Sequence, residues 1–253
     1  MFLVSPAIDL AMRLGGPRFR FAMELRRTLR WHNAEREFYL LPQLVDARRA
    51  AVDVGANLGL NAGRLAHLCP RVHCFEPISW VVAALRRKLP RRVAVHGVAA
   101  SDAEGSGVLR VPYRGDVEEH GTATLEAGNP LDGATRVHDV RCRLARLDDE
   151  VSEPVGFIKI DVEGHELAVL KGAARILRAD RPTLLVESER RHNPAAPESI
   201  FAFLARFGYV PWVALDGGIV ALDGFDVARD QQAANAGRRG QHYMNNFIFR
   251  PQS

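Results

Sequence analysis

Short apolar runs alternate with longer amphipathic stretches beyond residue 50, and this alternation constrains the fold more than any other feature. The runs at 49–55, 71–76, 93–99, 156–161 and 183–187 are near-continuous rather than alternating. Strands that are buried on both faces have this composition, so the runs predict a parallel sheet with helices on both sides. The fold class is therefore α/β, with a doubly wound, Rossmann-like sheet. Ligands of such sheets bind at the carboxyl ends of the strands.

The length of 253 residues suits one large domain with a helical extension. We divide the chain into a basic, helical N-terminal extension at 1–48 and a domain at 49–253. Turn-rich sequence at 101–147 predicts β-hairpins or loops beside the site. Apolar spacing predicts one helix over Leu167–Leu177, and the segment Asn246–Arg250 predicts a closing strand.

The net charge of +4 resides in residues 1–50, which carry nine Arg and five acidic residues. This arm could contact anionic lipid or a phosphorylated substrate, cover the pocket or pair subunits in a homo-oligomer, but a solvated helix face explains the charges equally well. A basic motif interleaved with aromatic residues is absent from the sequence, so nucleic-acid binding is not expected.

Cysteine usage and the amino terminus bear on the compartment. The three cysteines, Cys69, Cys74 and Cys142, form no C-x-x-C pair, which argues against a zinc site or a disulfide framework. The sequence from Met1 to Leu14 lacks the features of a secretory signal, and no apolar run reaches the length of a membrane helix. We therefore expect a cytoplasmic protein without a transmembrane segment.

A glycine turn follows the first predicted strand, in the string Val52–Gly59. Gly55 and Gly59 allow close approach of backbone to a ligand, in front of a helix N-terminus with free N–H groups. Glu76 ends the second predicted strand, at the spacing where an acidic residue binds ribose hydroxyls in nucleotide-binding sheets. Together these features predict a nucleoside site.

The turn is not the G-x-G-x-x-G fingerprint of dinucleotide binding, because its central glycine is missing. Asp53, on the first strand, suits a cofactor with an ammonium group and no phosphate. S-adenosylmethionine has this shape. The structural alternative is that Asp53 and Glu76 only cap strand ends.

The fourth predicted strand ends in the unusual string Phe157–Glu166. Lys159 and Asp161 share one face of this strand, and a buried lysine requires a charged partner. Two roles of Lys159 are equally supported: a structural ion pair with Asp161 or Glu187, and a role in the site. Asp161, at the carboxyl end, is the better placed for function.

Three further polar residues, Glu163, His165 and Glu166, follow at the start of the next helix. Acidic side chains are favoured there by the exposed N–H groups, and a histidine titrates near neutral pH. Capping the helix and catalysis are therefore equally supported for these three.

The strings Val52–Gly59, Cys74–Pro77 and Ile158–Glu166 resemble the FkbM family of S-adenosylmethionine-dependent O-methyltransferases, and the similarity spans residues 50–250. The resemblance implies a seven-stranded methyltransferase sheet whose last strand runs antiparallel. It implies that Gly55, Asn57 and Gly59 contact the methionine part of the cofactor, with Ala56 beside them. It also implies that Glu76 contacts the ribose, with Pro77 beside it, and that Val98 and Ala99 contact the adenine.

The resemblance also implies transfer of a methyl group to a hydroxyl of a sugar, a glycolipid or a secondary metabolite such as a polyketide. A carboxylate or an imidazole could take the proton of that hydroxyl. We predict Asp161 as the first choice and His165 as the second, with Lys159 in the same catalytic set. A divalent metal bound by Asp161 and Glu187 could replace the base, but two carboxylates are only a partial ligand set.

Two other functions stay open for this sequence. One is a nicotinamide-dependent oxidoreductase, which the broken glycine fingerprint disfavours. The other is a non-catalytic protein that binds a nucleotide in the same pocket.

Overall fold

The computed structural model describes residues 17–31, 34–215, 217–235 and 243–252. Helices and strands alternate from residue 50 onward, as the apolar pattern predicts. The helices are α1 (Pro17–Trp31), α2 (Arg36–Leu44), α3 (Leu60–Leu65), α4 (Ser79–Lys88), α5 (Leu147–Glu150), α6 (Glu166–Lys171), α7 (Ala174–Ala179), α8 (Glu198–Ala205) and α9 (Val227–Asp230). None of the helices in these ranges is long and apolar enough to cross a membrane.

The main sheet is mixed and mostly parallel. Its strands are β1 (Ala50–Val54), β2 (Val72–Phe75), β3 (Val93–His96), β8 (Val155–Ile160), β9 (Thr183–Glu187), β10 (Tyr209–Leu215), β11 (Gly218–Ala221) and β12 (Asn246–Pro251). The order is β11-β10-β12-β9-β8-β1-β2-β3. Strands β3, β2, β1, β8 and β9 are parallel neighbours, whereas β12 pairs antiparallel with both β9 and β10.

The sheet therefore has eight strands in the described part of the chain, where we expected seven. The additional strand is β11, which pairs antiparallel with β10 at the edge of the sheet. The antiparallel direction of the last strand agrees with the expectation.

A second sheet forms in the segment where the sequence predicts hairpins or loops. Its strands are β4 (Ala99–Ala100), β5 (Gly105–Arg114), β6 (Val117–Glu118) and β7 (Arg136–Ala145), in the order β4-β7-β5-β6. Strands β5 and β7 pair antiparallel along their length, from Gly105 opposite Leu144 to Tyr113 opposite Arg136. The connection between β6 and β7 lies against the carboxyl ends of the main sheet, where it forms part of a cleft.

Alternate residues of the central strands lie in two hydrophobic cores, one on each face of the main sheet. On β1, Ala51 belongs to one core, and Val52 and Val54 belong to the other. This arrangement explains the near-continuous apolar runs, because both faces of these strands are covered.

Helices α1 and α2 lie within the predicted N-terminal extension. Leu25 of α1 and Phe38, Leu41 and Leu44 of α2 are buried in the same core as Ala51. The two helices thus belong to the core on one face of the sheet, where α1 lies against α3 and α4. Residues 1–16 of the predicted extension lie outside the described residues, and the division at residue 48 and the pairing of subunits stay predictions.

Candidate functional site

The turn after β1 lies between two neighbouring strands. The backbone N–H of Gly55 donates to the carbonyl of Phe75, at the end of β2, over 3.1 Å. Gly55 has a φ of +78°, and a Cβ there would lie 1.8 Å from the carbonyl oxygen of Asp161. Only glycine fits this position, because both the conformation and the space exclude a side chain. The turn therefore exposes backbone, rather than side chains, to a ligand.

Glu76 lies directly after β2 and is held by backbone N–H groups. Its Oε2 accepts from the N–H of Asn57 over 3.0 Å, and its Oε1 accepts from the N–H of Ile78 over 3.0 Å. Burial raises the pKa of Glu76 to about 7, although the two N–H groups favour the charged form. The carboxyl group is thus fixed in place and titrates near neutral pH.

Asp53 is buried in β1, and neither of its carboxylate oxygens has a hydrogen-bond partner among the described residues. Burial raises the pKa of Asp53 to about 6, against the attraction of Lys159. A buried carboxylate without hydrogen bonds is unfavourable unless a ligand supplies a donor. The side chain of Asn57 shows the same feature, because its Oδ1 is buried without a partner.

Lys159 is buried on β8 and pairs with Asp161, with Nζ 2.7 Å from Oδ2. Burial acts to lower the pKa of Lys159, but the carboxylates of Asp161 and Asp53 outweigh it and raise the pKa above its usual range. The sequence left open an ion pair of Lys159 with Asp161 or with Glu187. The structure contains the pair with Asp161 and not the pair with Glu187.

A cleft of about 560 Å³ opens at the carboxyl ends of β1, β2 and β8. The predicted site residues in its wall are Gly55, Asn57, Glu76, Pro77, Val98, Ala99, Asp161 and His165. The second sheet and its connection contribute Leu109, His120, Gly121, Ala123 and Leu125 to the opposite wall. Polar groups of the main sheet thus face a mostly apolar cover, which is typical of small-molecule sites.

Four predicted residues lie behind this wall rather than in it: Asp53, Ala56, Gly59 and Lys159. Gly59 has a φ of +80°, and a Cβ there would lie 2.5 Å from Leu85 of α4. Gly59 therefore serves the packing of the turn against α4. Asp53 and Lys159 act on the cleft through their charges.

The loop that follows β8 has an unusual backbone, with φ of +55° at Glu163 and +108° at Gly164. The carbonyl of Glu163 accepts from Thr124 Oγ1 over 2.7 Å and from Asn129 Nδ2 over 2.9 Å. Glu166 is buried and accepts from the N–H of Gly164 over 2.8 Å. Burial raises the pKa of Glu166 to about 7. Glu166 therefore holds the loop, which is the structural role that the sequence left open.

Both ring nitrogens of His165 make hydrogen bonds within the protein. Nε2 lies 2.9 Å from Ser101 Oγ, and Nδ1 lies 2.6 Å from Glu126 Oε1. The histidine thus connects the end of β4 to the connection between β6 and β7. Sequence reasoning missed Ser101 and Glu126, and no local pattern could have found them, because they lie 64 and 39 residues from His165.

A second cavity, of about 370 Å³, lies beside the cleft. Glu163 is in the walls of both cavities, and His192 is in the wall of the second. His192 Nδ1 lies 2.8 Å from Glu163 Oε2. His192 is not among the residues predicted from the sequence. It follows β9, near the carboxyl end of a central strand, and this position could have marked it as a candidate.

Glu187, the second predicted metal ligand, accepts from Asn245 Nδ2 over 2.7 Å. Burial, with the charges of Asp161 and Glu35, raises the pKa of Glu187 well above its usual range. Within the described ranges, no group of three or more His, Cys, Asp or Glu side chains has a metal-binding arrangement.

The comparisons with known proteins agree with this arrangement. A family model described as Methyltransferase FkbM domain matches residues 53–211. A methyltransferase FkbM from Methylobacillus flagellatus KT has a TM-score of 0.54 at 19% identity, with 96% of this chain and 57% of that chain covered. SMU.1697c from Streptococcus mutans, in complex with SAH, has a TM-score of 0.49 at 11% identity, with 85% of this chain and 96% of that chain covered.

This chain thus spans less than two thirds of the length of the Methylobacillus flagellatus protein. No curated protein matches it. At 19% identity the structural likeness shows the fold alone.

Proposed function

This chain belongs to the FkbM methyltransferase family, and from this premise we propose that it transfers the methyl group of S-adenosylmethionine to a hydroxyl oxygen of a small molecule. The acceptors we propose are a sugar, a glycolipid or a secondary metabolite such as a polyketide. The observation that carries the proposal is the meeting of three features at one edge of the sheet: the glycine turn after β1, the fixed carboxyl of Glu76 and the unpartnered carboxylate of Asp53.

These residues fit the proposed cofactor. From behind the cleft wall, the charge of Asp53 attracts the ammonium group of the methionine part. Gly55 lies in the wall and carries no side chain that would keep a ligand from its backbone. Glu76 offers two carboxylate oxygens to a ribose, and the small or apolar side chains of Val98 and Ala99 suit a flat adenine.

We therefore propose that Gly55 and Asn57 bind the methionine part through backbone and amide groups. Behind them, Asp53 attracts the ammonium group by its charge, and Ala56 and Gly59 shape the turn. The ribose contacts come from Glu76 and the adjoining Pro77. When bound, S-adenosylmethionine supplies an electrophilic methyl group on a positively charged sulfur.

The chain itself contributes position, exclusion of water and a proton acceptor. The apolar cover of the cleft keeps water from the methyl group, which favours reaction with a bound hydroxyl. Asp161 and His165, the proton acceptors predicted from the sequence, both lie in the cleft wall. Lys159 holds Asp161 in place through their ion pair.

The proposal is tested first by binding. We expect isothermal titration calorimetry of the folded protein to detect S-adenosylmethionine and S-adenosylhomocysteine, and to detect no binding of NADH. Asp53→Asn should weaken both interactions about tenfold, because it removes a nearby negative charge whose attraction for the ammonium group contributes roughly 1–4 kcal/mol. Glu104→Gln, in an exposed turn, is the matched control. Binding of NADH in place of the methyl donor would favour the oxidoreductase alternative.

Transfer is tested second, with methyl-labelled S-adenosylmethionine and a panel of methyl glycosides, glycolipids and polyketides. Label on a hydroxyl oxygen supports the proposal. Label on nitrogen or carbon would contradict O-methylation. Binding of the methyl donor without transfer to any hydroxyl would favour a non-catalytic binding protein.

A further inference from the structure

The cavity beside the cleft has the position of an acceptor site. Glu163 separates the two spaces and forms part of both walls. A molecule in the second cavity therefore lies against a residue that also borders the cleft. The remaining walls come from the β5 end, the connection between β6 and β7, and the turn after β9. Nothing in the comparisons or in the sequence pattern assigns this cavity a role.

His192 has the arrangement of a proton acceptor in this cavity. Its Nδ1 lies 2.8 Å from Glu163 Oε2, so a neutral ring carries its hydrogen on Nδ1 and has a lone pair on Nε2. Among the described residues, Nε2 makes no hydrogen bond. A carboxylate that orients an imidazole and stabilises its charged form is the arrangement of a base and its positioning group.

The position of His192 is fixed by the loop that follows β8. A Cβ at Gly164 would lie 3.0 Å from the carbonyl oxygen of His192, so the two backbones are in close contact. Asn193 Nδ2 donates to the carbonyl of Gly164 over 3.1 Å, and the N–H of His192 donates to the carbonyl of Glu189 over 3.1 Å. The ring therefore cannot move without the loop.

The two bases predicted from the sequence are less available. Asp161 Oδ2 is bound to the buried ammonium of Lys159, so a hydroxyl must compete with this ion pair for the oxygen. His165 has both ring nitrogens in hydrogen bonds, so it must break one of them before it can contact a hydroxyl. His192 has a free nitrogen and a carboxylate partner.

We propose that the second cavity binds the acceptor, that His192 Nε2 takes the proton of the acceptor hydroxyl, and that Glu163 is the positioning residue for His192. This inference rests on the proposed methyl transfer and names the acceptor site and base for it. The hydroxyl oxygen forms a bond to the methyl carbon and releases its proton to Nε2. The electron pair of the broken carbon–sulfur bond stays on sulfur, and the new imidazolium is balanced by the carboxylate of Glu163.

The walls of this cavity carry the carboxylates of Asp132 and Glu163 beside two arginines, and they indicate a polar acceptor that is not an anion. Arg114 Nε lies 2.6 Å from Glu119, and Arg191 forms an ion pair with the buried Glu189. Both guanidinium groups are therefore neutralised, yet each keeps N–H donors for hydroxyl groups. Pro112, Pro130 and Leu131 add apolar faces. A hydroxyl-rich molecule of sugar size, with polar edges and an apolar face, fits this combination.

The first test is structural and needs no acceptor. In the ¹⁵N-labelled protein saturated with S-adenosylhomocysteine, long-range ¹H–¹⁵N spectra report which ring nitrogen of His192 carries hydrogen, with assignment from His192→Gln. We expect hydrogen on Nδ1 and a lone pair on Nε2 in the neutral ring. Hydrogen on Nε2 would overturn the proposal. If the wild-type protein does not bind S-adenosylhomocysteine, the proposed function fails instead.

The second test uses methyl-labelled S-adenosylmethionine with glycerol at molar concentration as the hydroxyl acceptor. His192→Ala should lower the rate by about 10²–10⁴-fold with unchanged affinity for S-adenosylhomocysteine, and free imidazole should restore part of it. Glu163→Gln should lower kcat with little change in KM for the methyl donor. His67→Ala, at an exposed histidine beyond α3, is the control. An unchanged rate in His192→Ala would refute the base, and a loss that imidazole does not relieve would indicate a structural role only.

Discussion

Replacement of Glu76 by glutamine should remove a pH-dependent loss of stability from the unliganded fold while it damages the cofactor site. Glu76 is 5% exposed, and its two carboxyl oxygens accept from the N–H groups of Asn57 and Ile78. Glutamine has nearly the shape of the protonated carboxyl group and cannot ionise, but its amide nitrogen cannot accept from an N–H group. The variant therefore removes the ionisation of a buried group at the cost of one hydrogen bond, and this cost does not depend on pH.

The magnitude follows from the pKa of Glu76, which is raised from 4.5 to about 7, chiefly by burial. A raised folded-state pKa gives stability that is fully present below pH 4.5 and is lost as the pH rises through 7, because the unfolded chain ionises first. At about 1.4 kcal/mol for each pKa unit, the wild-type protein loses about 3 kcal/mol over this interval. The variant does not lose this stability.

Urea unfolding of both proteins without cofactor, at pH 5, 6, 7 and 8, measures the effect. The free energy of unfolding of Glu76→Gln minus that of the wild type should rise by about 3 kcal/mol from pH 5 to pH 8. Asp53 and Glu166 also titrate in this range, but they are present in both proteins and largely cancel. Glu104→Gln should show no such rise. A constant difference for Glu76→Gln across this range would refute the assigned burial effect.

Three further outcomes can be checked on the same protein. Affinity for S-adenosylhomocysteine should fall about tenfold from pH 8 to pH 6 in calorimetry, because a ribose requires the ionised form of Glu76, whose pKa is about 7; a flat profile would contradict this. Lys159→Met should lower the free energy of unfolding at pH 8 by about 3–5 kcal/mol, because it leaves Asp161 without its counterion; a loss below 1 kcal/mol would contradict the ion-pair interpretation. Gly55→Ala should cost about 3 kcal/mol or more, from a positive φ and a backbone clash, and should abolish cofactor binding. Gly128→Ala, where a Cβ meets open space, should change stability by no more than about 0.5 kcal/mol.

The central strands and their polar ends could be predicted from the sequence. Four of the five parallel strands lie within their predicted runs, and β8 begins one residue before its run, at Val155, because burial on both faces leaves a local apolar signal. Strand direction then places Asp53, Glu76 and Asp161 at the same edge of the sheet. The FkbM resemblance is confirmed by the family match over residues 53–211. It implied the role of Glu76, whereas Asp53 and Asp161 were predicted from their places on the strands.

Contacts between distant segments could not be predicted in this way. The predicted single helix over Leu167–Leu177 is divided into α6 and α7 at Gly172. A Cβ at Gly172 would lie 1.9 Å from the carbonyl oxygen of Ser101, so a neighbouring chain segment occupies the space. The pairing of His192 with Glu163, 29 residues apart, has no local signature either.

The register of the second sheet could not be predicted from the sequence for the same reason. Its strands β5 and β7 are half-exposed, with short alternating segments that fit several pairings. The eighth strand of the main sheet, β11, has only four residues, two of them exposed, and so it leaves little apolar pattern.

The course of the loop after β8 is set by hydrogen bonds from other segments. The carbonyl group of Glu163 accepts from the side chains of Thr124 and Asn129, and that of Gly164 accepts from the side chain of Asn193. The backbone conformation of the loop therefore depends on residues of other segments. Loss of the Glu163 carboxylate should accordingly leave these backbone hydrogen bonds in place. The contact with His192 can thus be removed by a single replacement while the loop keeps its course.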